Sequence, residues 1–133
     1  MVLKRSFQNA KEVMKKKVVF IDGMATAKEA IDTMRKENVE ALIIKKRSDI
    51  DAYGIVRVHN FIEGVMIPDK TAEEVNVFEI MTKPVICVPA SMNVKYVASL
   101  LMNIGVREAP VEENNELIGM ISISDLILDN ILF

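Results

Sequence analysis

Near the carboxyl end, Gly119-Met120-Ile121-Ser122-Ile123-Ser124-Asp125 carries two hydroxyls and a carboxylate out of a short apolar run. A strand is expected to pass into a helix there. A carboxylate at that point can accept two hydrogen bonds from a vicinal diol such as a ribose. The N–H groups of a helix start suit a phosphate. The same Ser122-x-x-Asp125 spacing is also an ordinary capping box that needs no ligand, and spacing alone leaves both readings open. Arg107 opens the run Glu108-Ala109-Pro110-Val111. A guanidinium held near a helix amino end would complete an anion site; a solvated surface arginine is the plain alternative.

The elements that position these residues are written twice. Met14-Lys15-Lys16-Lys17-Val18-Val19-Phe20-Ile21 aligns with Met81-Thr82-Lys83-Pro84-Val85-Ile86-Cys87-Val88, each a methionine followed by a short β-rich run. At the same offset Ala27, Ala30, Ile31 and Met34 lie over Val94, Val97, Ala98 and Leu101, one helical face in each copy. Thr26 with Glu29 reads as a capping box, and Asn93 as the second helix's N-cap. Val39 then matches Val106, and Gly54-Ile55-Val56 matches Gly119-Met120-Ile121. Each copy therefore reads strand, helix, strand, strand, helix, with closing helices expected over 60–66 and 125–132. The expected division is a first repeat over 1–66, a linker over 67–75 and a second repeat over 76–133. Copies this small bury little core alone. Two are expected to pack through their sheets about a pseudo-two-fold axis, in a mixed α/β or α+β class.

Composition narrows the functions. The chain has 133 residues, half of them hydrophobic, with 17 Lys plus Arg against 19 acids and a net charge of −2. No basic surplus is available for a dedicated nucleic-acid binder. One cysteine and one histidine give neither a disulfide framework nor an evident zinc set. No apolar stretch reaches the roughly 20 residues that cross a bilayer, and the start of the chain lacks an apolar signal core. The expectation is a cytoplasmic protein without membrane or nucleic-acid partners. Cys87 is expected mid-strand as a buried, inert thiol. The basic runs 15–17 and 45–47 are expected to be solvated ends, with Lys15 or Lys16 supplementing an anion pocket as the alternative. The apolar tail Ile127 to Phe133 suits core or dimer contact.

The repeat layout, the segment Gly-Val-Arg-Glu-Ala-Pro-Val (105–111) and Gly-Met-Ile-Ser-Ile-Ser-Asp (119–125) together resemble a tandem pair of CBS domains, a Bateman module. They are similar to the nucleotide-binding repeats of AMP-activated protein kinase gamma subunits. The resemblance covers nearly the whole chain. It implies a non-enzymatic regulatory module with no catalytic cofactor, binding AMP, ADP, ATP or S-adenosylmethionine. It assigns Asp125 to the ribose hydroxyls, Ser122 to ribose or phosphate, and Arg107 to the phosphates. Ser124 and the backbone from Met120 would line the pocket, and Thr82, Pro84 and Val85 would border the adenine. His59 would add a basic contact to phosphate, one that depends on pH near neutrality; an exposed helix-start histidine is the alternative. The first copy departs from the pattern, with Arg57 and Asn60 in place of Ser122 and Asp125, and Glu40 where phosphate would approach. One competent site, on the second repeat, is therefore expected, in a homodimer that signals to a downstream protein. A ligand-free interaction module is the alternative.

Overall fold

The computed structural model describes residues 8–129. Two compact units emerge, and their membership differs from a simple split at the linker. One runs from Val19 to Val85; the other, among the described residues, joins 8–18 to 86–129. Each repeat's leading segment thus belongs with the main body of the other repeat.

In the first-repeat unit, β1 (Phe20–Ile21) pairs in parallel with β2 (Ala41–Ile44), which pairs antiparallel with β3 (Gly54–Arg57). Helix α2 (Ala27–Glu37) starts where foreseen: Thr26 Oγ1 accepts from Glu29 N at 3.1 Å. It stops at Asn38, which adopts φ 55°, a left-handed stop that asparagine tolerates. Its apolar face puts Ala27, Ala30 and Met34 against Leu42, Ile44 and Val56 of the sheet, one core for this unit. A three-stranded sheet of two to four residues per strand depends on such helical cover. The closing helix begins at α3 (Val58–Phe61), two residues earlier than expected, and continues as a π-helical turn over Ile62–Met66. The sequence reading missed α4 (Val77–Ile80), a single turn that belongs to this unit through Val77 N to Ala25 O (2.8 Å).

The hairpin between β2 and β3 is organised by one carboxylate. Asp51 accepts from Arg47 N at 2.9 Å and from Lys83 Nζ at 2.7 Å. The Lys83 ammonium, then the Arg47 N–H, hold its carboxyl far below the usual carboxylate range. A depressed folded-state pKa contributes stability that is fully present above the unfolded value of about 4 and lost as pH falls below it. Wild type should therefore exceed Asp51→Asn in denaturant midpoint at pH 7, with the gap narrowing steadily as pH falls below about 4. A gap independent of pH would show that the charge of Asp51 is not what holds the hairpin.

The second-repeat unit repeats the plan. Strand β4 (Val88–Pro89) runs parallel to β5 (Glu108–Glu113), which is antiparallel to β6 (Glu116–Ser122) with a bulge at Val111/Glu112. Helix α5 (Val94–Ile104) is capped by Asn93, whose Oδ1 accepts from Lys95 N at 2.9 Å, and is stopped by Gly105 at φ 71°. Val94, Val97 and Leu101 bury against Val111 and Ile121. Each such side chain contributes about 1.5–3 kcal/mol when removed from water. The unit also holds α1 (Ala10–Val13), bonded through Ala10 N to Met92 O and Lys11 N to Ala90 O, and α6 (Ile123–Leu128). Cys87 lies one residue before β4 rather than within a strand, and is half-buried rather than buried. Of the apolar tail, Ile131, Leu132 and Phe133 lie outside the described residues. Among the described residues no helix is long and apolar enough to cross a membrane.

Candidate functional site

Strand β6 delivers Ser122 to the start of α6, and the two halves of the foreseen capping box both form. Asp125 N donates to Ser122 Oγ at 3.0 Å, and Ser122 N donates to Asp125 Oδ2 at 3.1 Å. This fixes the carboxylate with one oxygen engaged and the residue only 9% exposed. The other oxygen, Oδ1, has Lys15 Nζ at 3.9 Å, too far for a hydrogen bond. Lys15 Nζ lies 2.6 Å from Asp129 Oδ2. That contact holds the ammonium above its ordinary range and the Asp129 carboxyl below its own. At six residues α6 has little macrodipole, so side chains must supply the site's charge.

Lys15 is placed by backbone pairing. Lys15 N donates to Met120 O and Met120 N to Lys15 O, both at 2.8 Å. Gly119 makes room for this approach: a Cβ there would lie 2.5 Å from Lys15 O. Arg107 is tied to the same helix start, since its carbonyl accepts from Ile123 N at 2.9 Å while its side chain is exposed. Ser124 is exposed and Met120 half-buried. The structure therefore brings Asp125, Ser122, Ser124, Met120 and Arg107 onto one unit. It adds Lys15, foreseen only as an alternative, and Asp129, which the sequence reading missed.

The remaining expected site residues are carried by the other unit. Thr82 pairs with Ile55 through Ile55 N to Thr82 O (2.9 Å) and Thr82 N to Ile55 O (2.8 Å). Its hydroxyl accepts from Asn60 Nδ2 at 3.4 Å. Thr82 thus stands to Asn60 as Lys15 stands to Asp125. Asn60 Oδ1 accepts from Arg57 N at 2.7 Å, so both ends of this buried amide are engaged. Pro84 is exposed, and Val85 is buried with its N–H on Tyr53 O. His59 and Glu40 are both exposed. This first-repeat position has neither the carboxylate nor the lysine of the second.

Two β-α-β-β-α units, each ending in a glycine-containing strand that runs into a capped helix start, Arg57-x-x-Asn60 in the first and Ser122-x-x-Asp125 in the second, define a tandem-repeat class of protein. The CBS domain family profile matches residues 10–66 and 77–129, and the chain belongs to that family. It is 29% identical over 117 residues to an uncharacterized protein of Methanopyrus kandleri, covering 87% of this chain and 59% of that one. It is 27% identical over 126 residues to the mitochondrial CBS domain-containing protein CBSX3 of Arabidopsis thaliana, covering 87% and 61%. The chain thus spans about three fifths of the length of these curated relatives. Among solved structures, the hexameric CBS-CP12 protein from bloom-forming cyanobacteria superposes with a TM-score of 0.88 at 34% identity, covering 94% of this chain and 72% of that one.

Proposed function

We propose that this chain is a non-enzymatic regulatory module that binds an adenosine nucleotide (AMP, ADP or ATP) on its second-repeat unit and signals through the packing of a homodimer. The observation that carries this reading is the Asp125 carboxylate. It is buried and oriented by Ser122, with its Oδ1 3.9 Å from Lys15 Nζ and the Asp129 carboxyl beside it. A ribose diol donates to such an oxygen. Arg107 and Lys15 supply cations for phosphate from the same unit, and Ser122, Ser124 and Met120 border the space. Self-association is supported by the hexameric state of the cyanobacterial relative.

The second reading is a ligand-free interaction module, and the completed capping box favours it. Ser122 and Asp125 already satisfy one another, so neither requires a ligand for folding. Thermal unfolding of nucleotide-stripped protein with AMP, ADP, ATP, S-adenosylmethionine and GMP separates the two. A ligand at 100 times its Kd adds about 2.7 kcal/mol, several degrees in Tm for a chain of this size. A shift with an adenosine ligand and none with GMP is the expected result. No shift with any of the five would leave the interaction module.

A further inference from the structure

The first-repeat unit has an open depression of about 460 Å³ at the β2–β3 hairpin, walled by the stretch 45–49 and by Phe20 and Tyr53. It lies at the start of β3, the end away from Asn60. Its volume falls in the range of small-ligand sites. Its lining departs from an ordinary solvated loop in three ways. Lys45, Lys46 and Arg47 face a single lining carboxylate, Asp49. Among the described residues neither Lys45 nor Lys46 has a carboxylate within 4 Å, whereas Arg47 is anchored by Asp51, which Lys83 holds in turn. The basic stretch is therefore pinned at its base while two ammonium groups remain for a ligand. Finally, two aromatic rings meet here: Phe20 and Tyr53 have centroids 6.0 Å apart, and Lys46 Nζ lies 4.8 Å over the Tyr53 ring. Lys46 covers that ring, which leaves Phe20, 38% exposed, as the surface on which a planar group can stack.

We infer that this depression is a second anion site, distinct from the Asp125 position, that takes a ribonucleoside polyphosphate through Lys45, Lys46 and Arg47, with the base stacked on Phe20. Asp49 is the acceptor for the ribose diol, and Ser48 adds a hydroxyl beside the phosphates. The lining side chains are cationic, aromatic, hydroxyl and carboxylate. No buried donor or acceptor is present to read the base edge, so the site selects charge and a flat ring rather than a particular base. Stacking supplies affinity without sequence or base choice, and exposed charge contacts weaken with salt.

The chain offers its own reporter, since it has two tyrosines and no tryptophan. In Tyr96→Phe protein, tyrosine fluorescence comes from Tyr53 alone, and Tyr96 is 61% exposed, so the replacement is mild. Titration at low salt with ATP, GTP, inorganic tripolyphosphate and adenosine tests the site. ATP and GTP should bind alike, tripolyphosphate about 5-fold and adenosine about 10-fold or more weaker, consistent with stacking and charge both contributing. Lys45→Gln with Lys46→Gln should weaken ATP at least about 10-fold. Asp125→Asn should leave the Tyr53 titration unchanged, which separates this site from the one proposed above. A Tyr53 signal indifferent to ATP, an affinity unchanged by the double lysine variant, or a response abolished by Asp125→Asn would each overturn the inference. Equal affinity for ATP and tripolyphosphate would overturn the stacked base.

Discussion

Gly119→Ala is expected to lower stability by about 2–3 kcal/mol and to loosen the segment that carries Lys15. The added Cβ would sit 2.5 Å from Lys15 O and 2.5 Å from Met14 Sδ. The thioether can swing aside, but the carbonyl is pinned because it accepts from Met120 N while Lys15 N donates to Met120 O. Relief requires opening that pair of hydrogen bonds. Gly105→Ala is the control: Gly105 has φ 71° with nothing within 4 Å of an added Cβ, so its cost is left-handed strain alone, about 1–2 kcal/mol. Denaturant unfolding should rank Gly119→Ala below Gly105→Ala. Hydrogen exchange at the Lys15 and Met120 amides should accelerate only in the former. Unchanged protection at both amides in Gly119→Ala would show that the strand approach does not require the glycine.

The same glycine explains what the sequence could reveal and what it could not. Helix starts at Thr26 and Asn93, and the Ser122–Asp125 box, are local patterns within four residues, so they were legible. The short helices α1 and α4 had the same kind of signal, Asn9 with Glu12 and Asn76 with Glu79, at matching places in the two copies. Their single turns fell below the length at which apolar periodicity is visible. The partners of the leading segments were a harder matter. Gly54 and Gly119 both open a strand edge, and Met14-Lys15 and Met81-Thr82 are interchangeable in pattern, so periodicity fits either pairing. Only the folded backbone decides, and it sets Thr82 against Ile55 and Lys15 against Met120. Asp129 was not legible for the same reason: its role depends on a lysine 114 residues away.

If the Asp125 position holds a nucleotide, Asp125 and Lys15 should fail differently on different ligands. Asp125→Asn keeps an oxygen for the Ser122 N–H, so the helix start survives, but it removes the charge offered to a diol. Adenosine and AMP should then weaken together, by about 1.5–3 kcal/mol, or roughly 10–150-fold. Lys15→Gln should spare adenosine and weaken AMP several-fold, because the ammonium can meet only the phosphate. In the free protein Lys15 is held by Asp129 at 2.6 Å, and a phosphate must compete for it. Asp129→Asn should therefore strengthen AMP binding while leaving adenosine unchanged. The competing pair is exposed, with the Lys15 side chain 61% accessible, so the exchange costs little and is sensitive to salt. Calorimetric titration of the three variants with both ligands separates the roles. Equal losses for adenosine and AMP in Lys15→Gln would make Lys15 a structural strap residue. No loss for either ligand in Asp125→Asn would return Asp125 to the capping role that its contact with Ser122 already fills.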